Sequence, residues 1–130
     1  MRTRESVPET EANPRSMQLF DPYAYAGIIF DCDGTLTNSM EAHYAAWRST
    51  MQRHHIDFGR ERFYALGGMP TSKIIALLAA EAGFELDVSA VTYEKEAAFL
   101  ENLSCVQPNP FAFEIAKQMR GRIPLAVASG

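Results

Sequence analysis

Two short runs constrain this chain more than anything else in it. Gly27-Ile-Ile-Phe30 and Ile123-Pro-Leu-Ala-Val-Ala128 are apolar at consecutive positions, not at every second one. Strict alternation marks a strand with one face in water, whereas a continuous apolar run suits a strand of a parallel sheet covered on both faces. Such a sheet requires helical layers above and below it. Two strands are too few to make one, so the sheet of this 130-residue chain is expected to be incomplete. The second run ends at Ser129, at the carboxyl end of a strand, where open α/β sheets build their sites.

The segment between the runs reads as helices. Met40, His43, Tyr44, Trp47 and Met51 recur at spacings of three and four, which predicts a helix from Ser39 to His54. A turn at Ile56–Gly59 precedes a short helix, Glu61 to Leu66. Gly67-Gly68-Met69-Pro70 breaks the chain, and Thr71 or Ser72 is positioned to cap a helix from Ser72 to Ala82 that Gly83 ends. Asp87 or Ser89 caps the next, Ala90 to Leu103. Asn109 as cap, with Pro110 in the first turn, starts a last helix to Arg120, closed by Gly121. The first twenty residues are polar, are broken by Pro8 and Pro14, and lack the apolar centre of a signal peptide. They read as a loose extension, with Met17 an alternative start.

Composition narrows the function classes. Apolar residues are 47% and charged residues 22% of the chain, the balance of a globular protein. No apolar stretch approaches the ~20 residues that cross a bilayer. A net charge of −4 gives no basic footprint for nucleic acid or an anionic membrane surface. An acidic protein that takes an anionic substrate needs a local electropositive device, such as a metal. Cys32 and Cys105 form neither a disulfide framework nor a zinc pattern, which suits a reducing, cytoplasmic compartment.

The chemistry concentrates in Asp31-Cys32-Asp33-Gly34-Thr35-Leu36-Thr37, directly after the first run. Strand periodicity of two lets Asp31 and Asp33 face one way and Cys32 another. Gly34 permits a sharp turn and close approach to a ligand. Two carboxylates on one ledge repel each other and call for a divalent cation or a shared proton. Hard oxygen donors suit magnesium. One carboxylate can attack phosphorus while the other acts as acid and base. An acidic turn closing a strand is the plain alternative. A calcium loop fails on spacing, since its sixth position would be Leu36 and its twelfth Ala42.

Phe30-Asp31-Cys32-Asp33-Gly34-Thr35-Leu36 resembles the first motif of the haloacid dehalogenase superfamily, and the resemblance extends over about residues 25–130. The helices that follow resemble the inserted cap of its β-phosphoglucomutase-like subfamily. Pro124-Leu-Ala-Val-Ala-Ser129 resembles the second motif, a strand ending in a phosphate-binding hydroxyl. The resemblance implies a Rossmann-like parallel α/β core at 23–38 and 108–130, a helical cap at 39–107, and an extension at 1–22. It implies Asp31 as nucleophile and magnesium ligand, and Asp33 as general acid/base whose main-chain carbonyl also ligates the metal. Cys32, Gly34, Thr35, Ser129 and Gly130 would hold the phosphoryl group. Ser39 and His43 would lie near the acid/base, and Thr71 and Lys73 beside the specificity loop. His43 can equally be a half-buried helix histidine, and Lys73 a solvated one. Trp47 reads as cap core, and His54 and His55 as a solvated helix end.

Departures from the subfamily matter as well. Mutase members carry basic residues where this chain has Gly67 and Thr71, and a mutase must hold a bisphosphate at both ends. The loop Leu66-Gly-Gly-Met-Pro-Thr-Ser-Lys-Ile74 resembles the fructose-1-phosphate and 6-phosphogluconate phosphatase group instead. The expected activity is magnesium-dependent hydrolysis of a small phosphorylated metabolite, a sugar phosphate, by a monomer that binds neither nucleic acid nor membrane. Mutase-type phosphoryl transfer and a non-catalytic fragment are the rivals. The family's third-motif lysine and fourth-motif acidic pair have no counterpart here, so the chain is expected to be truncated and inactive by itself.

Overall fold

The structure, a computed structural model, describes Asp21 and residues 24–129. The expected extension, Met17 and Gly130 therefore lie outside the described residues, Asp21 apart. Strand β1 is Ile28–Asp31 and strand β2 is Leu125–Ala128. They pair in parallel, in a register that sets Ile28 beside Leu125 and Asp31 beside Ala128. The Ile28 N–H extends the ladder by donating to the Pro124 carbonyl at 3.0 Å. Both strands thus end together, and the acidic loop and Ser129 leave the sheet at the same carboxyl edge.

Five helices lie between and beside them: α1 (Met40–Arg53), α2 (Arg60–Ala65), α3 (Thr71–Ala82), α4 (Val88–Glu101) and α5 (Pro110–Met119), with a 3-10 turn at Leu103–Cys105. All five expected helices are present, with ends displaced by a residue or two. Gly83 closes α3 in the left-handed region at φ 72°. Asp87, not Ser89, caps α4, accepting from the Ala90 N–H at 3.0 Å. Asn109 caps α5 by accepting from the Phe111 N–H at 3.2 Å, with Pro110 at the first helical position.

Two expectations need correction. Neither Thr71 nor Ser72 caps α3: Pro70 takes that position, in extended backbone, and its carbonyl accepts from Lys73 and Ile74 at 2.9 and 3.1 Å. The turn closed by the Met69 N–H on the Leu66 carbonyl delivers the chain one residue earlier than the side chains suggest. The strands, moreover, are not covered on both faces. Phe30 is buried, but Ile29 is 73% exposed and Val127 59%. Neighbouring strand residues point to opposite faces and paired residues share one, so Ile29 and Ala126 meet water on one face, while on the other Phe30 is buried and its partner Val127 is not.

The main core belongs to the helices. Trp47 and Met51 of α1, Phe63 of α2, Ile74, Ile75 and Leu78 of α3 and Val91 of α4 bury together with Ile56, Phe58 and Leu66. Phe58 meets Trp47 and Phe63 edge-on, at centroid distances of 5.5 and 6.4 Å. Each such side chain contributes about 1.5–3 kcal/mol by leaving water. The chain enters and leaves this helical body through one neck. The Asn38 N–H donates to the Gln107 carbonyl at 2.8 Å, the Asn109 N–H donates to the Leu36 carbonyl at 2.7 Å, and Thr37 and Pro108 form an antiparallel bridge.

Candidate active site

The acidic loop winds around a single carbonyl. Cys32 O accepts from the N–H groups of Thr35, Leu36 and Thr37 at 3.2, 2.9 and 3.0 Å, and from the Thr37 hydroxyl at 3.2 Å. The Gly34 N–H donates to Thr37 O at 2.8 Å. Gly34 sits at φ 77°, and a Cβ there would come within 3.2 Å of Met40 Cγ, so this turn needs glycine. The parallel bridge of Asp33 with Thr37 uses the groups of Cys32 and Gly34 on either side and leaves the Asp33 carbonyl outside it.

Asp31 and Asp33 line one cavity of about 520 Å³, together with Met40, His43, Trp47, the loop from Leu66 to Thr71, and Lys95 and Glu96. Both acidic residues of the loop thus border the same cavity. Asp31 is exposed, and its Oδ2 accepts from the Thr35 hydroxyl at 3.1 Å. Asp33 is held harder. Ser39 Oγ donates to its Oδ1 at 2.5 Å, and His43 Nε2 lies 3.2 Å from the same oxygen. Ser39 stands at the N-cap of α1 but makes no side-chain cap; its buried hydroxyl goes to Asp33 instead. His43 follows one turn later on the same face.

A buried lysine completes this arrangement. Lys95, 3% exposed on α4, places Nζ 3.3 Å from His43 Nδ1 and donates to Glu96 Oε1 at 3.0 Å. An ammonium has only donors, so its contact makes Nδ1 the acceptor and leaves the ring proton on Nε2, toward Asp33. Phe99, one turn beyond Lys95, stacks flat on the His43 ring, with centroids 3.9 Å apart and planes 3° from parallel. Two pairs spaced by four residues, His43 with Trp47 and Lys95 with Phe99, therefore interlock α1 with α4. Burial pulls the Asp33 carboxyl upward. The hydrogen bonds from Ser39 and His43 and the Lys95 charge outweigh it, and hold the carboxyl below its ordinary 3.8.

The other expected residues divide. Thr71 lines the cavity, but Lys73 is exposed and stands outside it. Ser129 follows β2 at the same sheet edge as Asp31 and is not among the residues that line the cavity. Of the residues expected to hold the phosphoryl group, Gly34 donates its N–H to Thr37 O and Thr35 its N–H to Cys32 O. Cys32 carries a free, half-buried thiol. His54 is not a solvated end: its Nε2 meets Glu94 Oε2 at 3.0 Å and ties α1 to α4. His55 is exposed, at φ 59°. Lys95 escaped the sequence reading, although a lysine on the same helical face as Val91 and Ala98 was the available signal.

Two carboxylates and the Asp33 main-chain carbonyl, which accepts no hydrogen bond among the described residues, are hard oxygen donors of the kind magnesium accepts, and magnesium keeps several waters of its own. Among the described residues no three or more His, Cys, Asp or Glu side chains gather as a complete cage. The donor set thus fits part of a magnesium shell. Among the described residues, no helix is long and apolar enough to cross a membrane.

The fold is thus a parallel α/β pair of strands whose carboxyl edge bears an Asp-x-Asp loop beside a helical body. Residues 25–130 match the model of the haloacid dehalogenase-like hydrolase family, and the chain belongs to that family. It is 35% identical over 107 residues to the fructose-1-phosphate phosphatase YqaB of Escherichia coli, a match covering 82% of this chain and 56% of that protein. It also resembles the structure of CbbY from Rhodobacter sphaeroides in complex with phosphate (TM-score 0.63, 25% identity, 80% of this chain and 50% of that one). A β-phosphoglucomutase from Clostridium difficile shares the fold at 18% identity (TM-score 0.67, covering 78% and 50%). The chain spans a little over half the length of the curated relatives it matches.

Proposed function

We propose that the protein is a phosphatase of small phosphomonoesters, sugar phosphates in particular, that works through an aspartyl-phosphate on Asp31. The observation that carries this reading is the pair Asp31 and Asp33 on one cavity wall, the first exposed and the second clamped by Ser39 and His43. The substrate class draws support from the Escherichia coli relative, whose name gives fructose 1-phosphate as its substrate.

Asp31 attacks phosphorus in line; its oxygen–phosphorus bond forms as the ester bond breaks, and Asp33 gives its proton to the departing alkoxide. Asp33, a carboxylate again, then takes a proton from water, which attacks phosphorus and releases phosphate and Asp31. At rest Asp33 is held ionised, and the negative charge of an arriving phosphate favours the proton that the first step requires. The Asp31 carboxylate and Asp33 carbonyl would hold magnesium, which when bound would neutralise phosphoryl charge. Residues 39–107 form the lid and 23–38 with 108–130 the core, a division supported by the hydrogen-bonded neck at Leu36–Asn38 and Gln107–Asn109. Closure of that lid would exclude bulk water.

The test is phosphate release from fructose 1-phosphate by the protein as its own gene encodes it. Magnesium-dependent release that Asp31→Asn abolishes supports the reading. Isomerised sugar phosphate without net release, or turnover unaffected by Asp31→Asn, refutes it.

A further inference from the structure

The cavity carries more negative than positive charge. Among the described residues three carboxylates line it, Asp31, Asp33 and Glu96, against one ammonium, Lys95, and no arginine. Lys95 is already shared between His43 and Glu96, and it is buried. It therefore offers little to a second anion. Glu96 is different: its side chain is 48% exposed, only its Oε1 is engaged by Lys95, and Oε2 has no partner among the described residues. The rest of the wall away from the acidic loop is largely apolar, formed by Trp47, Phe63, Leu66, Met69, Pro70 and Ile74. A fixed carboxylate on such a wall accepts hydroxyl protons well and repels an anionic group.

We propose that Glu96 is a specificity residue that reads the end of the substrate away from its phosphate. It accepts hydrogen bonds from neutral hydroxyls and rejects a second phosphate or a carboxylate there. The inference rests on the phosphatase reading of Asp31 and Asp33 and narrows it: the preferred substrate is a polyol or sugar carrying one phosphate and no other charge. Sugar bisphosphates and phosphorylated sugar acids are disfavoured, including the 6-phosphogluconate suggested by the sequence of the Leu66–Ile74 loop.

The chain supplies its own reporter, since Trp47 is its single tryptophan and lines the same cavity. Titrations followed by Trp47 fluorescence, with magnesium present and Asp31→Asn in every protein to prevent turnover, would use fructose 1-phosphate, fructose 1,6-bisphosphate, 6-phosphogluconate and inorganic phosphate. Protein with Glu96 intact is expected to bind the first more tightly than the next two. Glu96→Gln, which keeps the size of a half-exposed side chain, is expected to shrink that preference about tenfold, the effect of one nearby charge in a partly solvated site. Glu96→Lys is expected to invert it. Inorganic phosphate has no distal group, so its affinity should change less than that of the bisphosphate.

An unchanged ratio in both variants, or an equal loss for every ligand, overturns the specificity role while leaving the phosphatase reading intact. If the unaltered protein releases no phosphate from fructose 1-phosphate and no ligand perturbs Trp47, the phosphatase reading itself fails.

Discussion

At Asp33 one carboxylate oxygen receives both the Ser39 hydroxyl and the edge of the His43 ring. These contacts favour the ionised form more than burial disfavours it, so the folded protein holds this group below its ordinary 3.8. A carboxyl whose folded value is depressed adds stability above its unfolded value, and that stability is lost as pH falls through the folded value. Ser39→Ala removes one clamp and moves Asp33 back toward 3.8. The difference in stability between wild type and Ser39→Ala should then be constant above pH 3.8 and shrink toward zero well below it. Denaturant titrations across that range, with the Asp33 carboxyl followed by NMR, measure both effects. A Ser39→Ala stability gap that grows as pH falls would contradict the clamp. The spacing of Asp33, Ser39 and His43 was legible in the sequence because all three lie within eleven residues and one helical turn. Lys95, which fixes the proton on His43, arrives from a distant helix, and no local pattern names its partner.

At the scale of elements, α1 and α4 lean on each other through a polar strip inside an apolar contact. The ion pair of Lys95 with Glu96, the stack of His43 on Phe99 and the His54–Glu94 contact lie along one seam. Breaking a buried ion pair is costly when the remaining charge stays buried, but Glu96 is half exposed and returns to water when Lys95 alone is replaced by an apolar side chain of similar volume. Lys95→Met is therefore expected to keep or slightly raise the melting temperature. It also frees His43 Nδ1, so the ring proton is no longer held on the Asp33 side, and turnover should fall about tenfold to a hundredfold. Calorimetry alongside steady-state kinetics separates the two consequences; loss of stability in step with activity would reduce Lys95 to a packing residue. The helices themselves were legible from period and caps, because Gly83, Asp87, Asn109 and Pro110 act through neighbours in sequence. The start of α3 was not, since the Leu66–Met69 turn that sets it competes with the side-chain caps.

For the molecule as a whole, the sheet is where sequence and structure part. A run such as Gly27–Phe30 records the burial a strand is suited to, and burial depends on partners that the run cannot name. Here β1 and β2 have only each other among the described residues, with Ile29 73% exposed on one face and Val127 59% exposed on the other. Single exposed apolar residues are ordinary, but exposed ones on both faces of a short open sheet leave it sticky. The two descriptions predict different behaviour for Ile29→Lys in the 130-residue chain. If the outer face meets water, as in this structure, the substitution should change stability by no more than about 0.5 kcal/mol and should weaken binding of an apolar dye such as ANS. If that face were covered, the lysine would bury a charge, stability would fall by several kcal/mol, and the wild type would bind little dye to begin with. Denaturant melts and dye fluorescence on the two chains decide between them. A large destabilisation with no dye signal would restore the doubly covered sheet that the sequence pattern suggests.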